Sequence, residues 1–115
     1  MAVKYISSMI KEAMCSNKLC EALVDIGMEI HARTGFFGKV YYECSLAQAM
    51  RWLRERKGIH IAIDWCADNT WEFDIVSDYP TGEEFDYPPC HTYEEAAEAG
   101  LYIAIEKVKN EKILP

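Results

Sequence analysis

The chain has 115 residues, of which half are hydrophobic, and this is enough for one domain with a buried core. No window is long and apolar enough for a membrane span or a signal peptide, so we expect a soluble, cytoplasmic protein that does not bind membranes. The net charge is +3 over residues 1–57 and −10 over residues 58–115, which argues against direct binding of nucleic acid and for a basic protein partner.

The sequence contains five cysteines, at positions 15, 20, 44, 66 and 90. Because the number is odd, they cannot all pair within one chain, and they fit a reducing compartment. No C-x-x-C or H-x-x-x-H spacing occurs, so we interpret them as small buried hydrophobic residues and predict neither a metal site nor a cofactor.

The first part of the chain is predicted to be helical. Apolar residues recur at helical intervals over residues 2–14, which predicts a first amphipathic helix. The same period resumes behind Asn17, the expected cap of a second helix. Gly27 and Gly35 are alternative ends for that helix.

The residues that follow predict a turn and a short edge strand. Phe36 and Phe37 stand between two glycines, and residues 39–43 have the aromatic and β-branched content of a strand. The two phenylalanines either cover a small satellite core or form an exposed contact patch. The sequence favours the first interpretation.

A helix over residues 45–57 has clear start and stop signals. Ser45 and Gln48 form a capping-box pattern, and Gly58 follows the last turn. The basic residues of its second half are favourable against the helix dipole, so their clustering has a structural explanation. Trp52 is expected to border the core and not to read a nucleotide.

Residues 59–76 predict an antiparallel hairpin. Apolar and polar residues alternate over residues 59–65 and again over residues 71–76, so each strand has one buried face. The isoleucines and aromatics share that face. The other face presents His60, Asp64, Glu72 and Asp74.

Residues 77–91 contain three prolines and predict a long loop, after which a Thr92 capping box begins a helix over residues 93–109. We therefore predict an α+β fold: a small antiparallel sheet, centred on hairpin 59–76, is covered on one face by helices and carries an N-terminal helical extension. Residues 1–40 are the N-terminal helical segment, and residues 41–115 are an α-β-β-α core on which that segment packs.

Three runs of the sequence are distinctive: SLAQAMRWLRE from Ser45, KGIHI from Lys57, and TYEEA with the following AGL from Thr92. They resemble a widespread group of small uncharacterised proteins of Bacteroides-type gut bacteria and their phages or prophages. The likeness covers roughly residues 41–109. It implies a helix, a hairpin and a C-terminal helix in a bacterial host cell, but no established activity and no catalytic residues.

The candidate functional residues lie in the hairpin and the loop after it. Eight carboxylates form the predicted acidic binding face: Asp64, Asp68, Glu72, Asp74, Asp78, Glu83, Glu84 and Asp86. Three loop aromatics are the predicted anchors: Tyr79, Phe85 and Tyr87. Acids steer a basic partner and aromatics supply buried area. The alternative is a solvated loop whose aromatics fold back on the sheet.

These residues lead to two hypotheses of different classes. The first is a non-enzymatic phage or mobile-element accessory protein that binds a basic protein, with inhibition of a host nucleic-acid-binding or defence protein as a specific form. The alternative is a small ligand-binding protein or enzyme that uses the hairpin carboxylates and His60; a deep pocket or a bound metal would favour it. A homodimer follows if the apolar stripes of the leading helices exceed what the sheet covers.

Overall fold

The computed structural model of the chain describes residues 12–77 and 87–111. Within these residues the helices are α1 (Asn17–Asp25), α2 (Leu46–Lys57) and α3 (Tyr93–Glu111). The strands are β1 (His31–Thr34), β2 (Val40–Glu43), β3 (Ile59–Trp65) and β4 (Trp71–Ser77), with a short 3-10 turn at Phe36–Gly38 between β1 and β2.

Strands β3 and β4 form the predicted antiparallel hairpin. Their register runs from Ile59 opposite Ser77 to Trp65 opposite Trp71. Burial alternates along β4 and in the first half of β3, so that one face of the hairpin is apolar and the other faces solvent. Trp65, which the alternation places on the buried face, is 57% exposed, because it lies at the end of the strand beside the turn. The hairpin predicted from the alternation is confirmed.

Helices α2 and α3 cover the apolar face of this hairpin. Helix α2 packs on β3, and α3 packs on both strands and on α2. A Cβ atom at Gly100 would lie 2.7 Å from Cγ2 of Ile61, so α3 approaches the sheet as closely as a glycine allows. The α+β fold, with helices on one face of a small antiparallel sheet, is confirmed.

The ends of α2 match the predicted signals. The Ser45 hydroxyl accepts from the Gln48 N–H at 3.0 Å, and the Gln48 side chain accepts from the Ser45 N–H at 2.9 Å. Gly58 ends the helix in the left-handed conformation, with φ of +65°. Trp52 is half-buried against the core, as predicted, and Nζ of Lys57 lies 5.5 Å from the centre of its ring.

Helix α1 begins one residue earlier than predicted. Its cap is Ser16, whose hydroxyl accepts from the Leu19 N–H at 3.1 Å. The Asn17 side chain instead holds strand β2: it donates to the Val40 carbonyl and accepts from the Tyr42 N–H, both at 3.0 Å. Because the Asn17 side chain is engaged in this tertiary contact, Ser16, the residue before it, caps the helix.

The structure decides between Gly27 and Gly35 as the residue that ends α1, in favour of Gly27. The helix stops at Asp25, and Gly27 follows with φ of +106°. The helix predicted over residues 2–14 lies mostly outside the described residues. Its last part, residues 12–14, is not helical, because Met14 forms an antiparallel bridge with Ser45.

The β1–β2 hairpin differs most from the sequence-based expectation. The edge strand predicted over residues 39–43 is present as β2, but its partner β1 was not predicted. Phe36 and Phe37 at the tip are 90% and 106% exposed, so the favoured interpretation, that they cover a satellite core, is wrong. The hairpin carries them away from the helices.

The core of the described residues joins all three helices. Leu19 and Leu23 of α1 are buried in the same cluster as Leu53 of α2 and Leu101 of α3. The division of the chain at residue 40 stays a prediction. In the part of the chain that the structure describes, every helix is too short or too polar to cross a bilayer.

Candidate functional site

The outer face of the β3–β4 hairpin carries the candidate site. Three cross-strand pairs lie on it: His60 opposite Val76, Ala62 opposite Asp74, and Asp64 opposite Glu72. All but Ala62 are exposed, and Ala62 is half-buried. We call the carboxylates of Asp64, Glu72 and Asp74, with Asp68 in the connecting turn, the acidic hairpin face.

The centre of this face is a pair of like charges. Asp64 and Glu72 are direct partners in the register, and such partners have Cβ atoms about 4.5–5.5 Å apart. Like charges at this spacing destabilise strand pairing unless a cation lies between them. The ion pairs of the described residues join Arg33 to Glu43 and Arg51 to Glu55, so neither neutralises this pair.

The turn between the strands fixes a further carboxylate. The Cys66 N–H donates to the Thr70 carbonyl at 2.7 Å, and Asn69 has φ of +63°, which an asparagine tolerates. The Thr70 hydroxyl donates to Asp68 at 2.6 Å and lowers the pKa of that carboxyl. Asp68 is therefore held as an anion at the end of the hairpin.

A thiol stands next to the like-charge pair. Partial burial raises the pKa of Cys66, and so does its hydrogen bond to the Glu72 carboxylate. The thiol therefore stays protonated and does not add a charge to the face.

The basic residues of α2 lie on the other side of the sheet. Helix α2 packs against the apolar face of β3, whereas the carboxylates point away from that face. Arg51 pairs with Glu55 of the same helix at 2.9 Å. Lys57 is only 5% exposed, and its ammonium group lies against the Trp52 ring. It is therefore not available to neutralise the carboxylates of the acidic hairpin face.

Part of the predicted site falls outside the described residues. These are the carboxylates Asp78, Glu83, Glu84 and Asp86 and the aromatics Tyr79 and Phe85. Tyr87 is described and half-buried, and its ring stacks on Phe73 with centroids 4.6 Å apart and planes 17° apart. This packing matches the alternative in which loop aromatics cover the sheet; a role for Tyr87 as a binding anchor stays a prediction.

The geometry bears on the alternative enzymatic hypothesis. His60 and Asp64 are four residues apart on one strand, which places them about 13 Å from each other along the face. Among residues 12–77 and 87–111, no three His, Cys, Asp or Glu side chains are grouped closely enough to hold a metal ion. A pocket of about 210 Å³ lies elsewhere, where α2 and α3 begin, and the hairpin carboxylates do not line it.

Comparisons with protein-family models, with curated proteins and with solved structures each found no match.

The structure also places together residues that the sequence did not connect. Cys15 and Cys44 are neighbours, because the Cys15 N–H donates to the Cys44 carbonyl at 2.9 Å, and both are buried. They are 29 positions apart in the sequence and belong to no spacing motif. The contact becomes visible only in the structure, where the backbone around Cys15 pairs with the backbone around Cys44.

Proposed function

We propose that this chain is a non-enzymatic accessory protein of a bacterial phage or mobile element that binds a basic surface of another protein in the cytoplasm. The binding surface is the acidic hairpin face. The observation that carries the proposal is the exposed pair of like charges, Asp64 opposite Glu72, with no cation of the described residues between them.

This pair supports binding because it opposes folding. Two carboxylates on directly opposed strand positions repel each other, and a partner cation that lies between them relieves the repulsion. The repulsion between the two carboxylates destabilises the free protein and is relieved in the complex. This relief adds to the affinity for a basic surface. Asp74 and Asp68 extend the negative charge along the same hairpin and contribute to electrostatic steering.

The shape of the face favours a macromolecular partner over a small substrate. The carboxylates stand on the outer side of a two-stranded sheet, whereas small-molecule sites are concave and mostly apolar. A specific form of the proposal is inhibition of a host nucleic-acid-binding or defence protein. Such proteins carry basic surfaces that contact phosphates, and a row of carboxylates can occupy them.

Capture from a bacterial cell extract tests this function. The wild type is expected to retain at least one basic protein that D64N/E72Q/D74N does not retain, because three of the four charges on the face are removed. Retention should also fall between about 0.1 M and about 1 M salt, as the Debye length shortens from about 10 Å to about 3 Å.

A charge-matched variant on another surface controls for net charge. The substitutions E21Q/D25N/E29Q change three exposed carboxylates in and after α1 and leave the same net charge as D64N/E72Q/D74N. This control should retain the same proteins as the wild type. Equal losses in both variants, or retention that is unaffected by salt, would contradict the proposed surface.

A further inference from the structure

Three of the five thiols lie together in the core. Cys15 is 8% exposed, Cys44 is 2% exposed, and Cys20 is fully buried. One side-chain hydrogen bond joins Cys15 to Cys44, and another joins Cys15 to Cys20. The remaining thiols, Cys66 and Cys90, are half-buried and lie at the turn of the β3–β4 hairpin and in the segment paired with β4.

The backbone places Cys15 and Cys44 directly opposite each other. Met14 forms an antiparallel bridge with Ser45, so the next pair in this register is Cys15 with Cys44. The Cys15 N–H donates to the Cys44 carbonyl at 2.9 Å, in agreement with this register. Directly opposed residues of an antiparallel pair have Cα atoms roughly 4.5–5.5 Å apart and side chains on the same face. Disulfides need Cα atoms about 4.4–6.8 Å apart, so the backbone already has the spacing of a disulfide.

The third thiol of the group is not placed in this way. Cys20 belongs to helix α1, and its N–H donates to the carbonyl of Ser16, the residue that caps the helix. Its backbone therefore follows the helix, and no strand register sets it opposite Cys15 or Cys44. Of the three thiols, Cys15 and Cys44 are the pair that is placed for a covalent bond.

The hydrogen bond between these two thiols gives them different acidities. It raises the pKa of Cys15, and it lowers the pKa of Cys44 against the effect of burial. Within the pair, Cys44 is therefore the thiol that ionises first, and Cys15 donates to it. A thiolate beside a second thiol supplies both the nucleophile and the resolving group of a redox-sensitive cysteine pair.

The pair lies just below the protein surface. Met14 and Ser16, the two neighbours of Cys15 in the chain, are both exposed. Hydrogen peroxide is small and uncharged, so a local opening of this segment is enough to admit it.

We propose that Cys15 and Cys44 form a redox-sensitive dithiol that a peroxide converts into an intrachain disulfide. The Cys44 thiolate attacks one peroxide oxygen, the O–O bond breaks, and the released hydroxide takes up the proton that Cys44 has lost. The Cys15 sulfur then attacks the sulfur of the Cys44 sulfenic acid, the S–O bond breaks, and the leaving hydroxide takes the Cys15 proton. Two thiols and one peroxide thus give one disulfide and two water molecules.

The disulfide closes a loop that contains α1 and the β1–β2 hairpin. It ties the segment before α1 to the segment before α2. In a reducing compartment such a bond is transient and senses oxidation, which fits the compartment that the odd number of cysteines indicates.

Peroxide treatment of the full chain with the substitutions C66S/C90S tests this proposal. These substitutions remove the half-buried thiols and leave only the three thiols of the core. Alkylation and trypsin digestion follow the treatment, and Cys15, Cys20 and Cys44 fall into the separate tryptic peptides 12–18, 19–33 and 40–51. We expect peptide 12–18 to be joined to peptide 40–51, with a mass lower by two hydrogen atoms than their sum, and peptide 19–33 to be alkylated.

Single alanine substitutions in the same C66S/C90S protein identify the pair. C15A and C44A are each expected to abolish the disulfide, whereas C20A, the matched control, should form it as the parent does. The oxidised parent should melt about 10 °C above its reduced form, because the disulfide restricts the unfolded chain, and dithiothreitol should reverse the shift. If an alanine variant does not fold, as circular dichroism would show, the joined peptides and the melting shift of the parent decide the question.

Met14 serves as an internal standard for the peroxide. It is 52% exposed and lies in peptide 12–18, so its conversion to the sulfoxide shows that the oxidant has reached this segment. Complete alkylation of Cys15 and Cys44 when Met14 is oxidised would overturn the proposal, as would a disulfide that includes Cys20. D64N/E72Q/D74N should form the same disulfide, so this test is independent of the acidic hairpin face.

Discussion

A Leu101→Ala variant is expected to lose about 2–5 kcal/mol of the free energy of unfolding. Leu101 is fully buried on α3, in the core cluster that the helices and the sheet share. Its helix already lies at glycine contact distance from Ile61, so it cannot move closer to fill the cavity. A loss of this size is a large fraction of the roughly 5–15 kcal/mol that stabilises an ordinary domain.

Chemical denaturation followed by circular dichroism measures this loss. Glu106→Ala, an exposed position on the same helix, serves as the control and should change the free energy of unfolding by no more than about 0.5 kcal/mol. Equal stability of the two variants would show that Leu101 does not pack in the core.

Stability is expected to fall steeply above about pH 8.5, because two buried thiols resist ionisation. The hydrogen bond with Cys44 and burial raise the pKa of Cys15, and burial raises the pKa of Cys20. A thiol whose pKa is higher in the folded state contributes stability below its unfolded pKa of about 8.5. That contribution is lost as the pH rises toward the folded pKa, at a slope of at most about 1.4 kcal/mol per pH unit for a single thiol.

Denaturation at a series of pH values from neutral to about pH 10.5, under reducing conditions, checks this slope. The variant C15A/C20A is the comparison, since tyrosines and lysines titrate in both proteins and cancel. We expect the free energy of unfolding of the wild type to fall more steeply with pH than that of the variant. Parallel curves would mean that the thiols ionise in the folded protein as readily as in the unfolded chain.

The β3–β4 half of the fold could be predicted because its signals are local. The alternation over residues 59–65 and 71–76 reports one buried face, and the Ser45 capping box and Gly58 report the ends of α2. Each of these signals depends on residues a few positions apart.

Strand β1 could not be predicted because its sequence, His-Ala-Arg-Thr, has no alternation. A strand exposed on both faces has no hydrophobic pattern, and β1 forms only through its pairing with β2. The exchange of roles between Ser16 and Asn17 has a similar cause: either residue can cap a helix, and a contact with β2 decides between them.

The acidic hairpin face was only partly readable from the sequence. Alternation placed Asp64, Glu72 and Asp74 on one face, and the register now makes two of them direct partners. Whether the basic residues of α2 neutralise them depends on the side of the sheet to which that helix packs. This is a tertiary property, as is the direction in which a hairpin carries Phe36 and Phe37.

Titration of the isotope-labelled protein with an oligolysine peptide, followed by amide chemical shifts, tests the central claim that the acidic hairpin face is an available anionic surface. We predict that the largest shift changes occur at Asp64, Glu72 and Asp74, and that they disappear in D64N/E72Q/D74N and at high salt. Changes that centre on the carboxylates of α1, or that persist unaltered in D64N/E72Q/D74N, would contradict it.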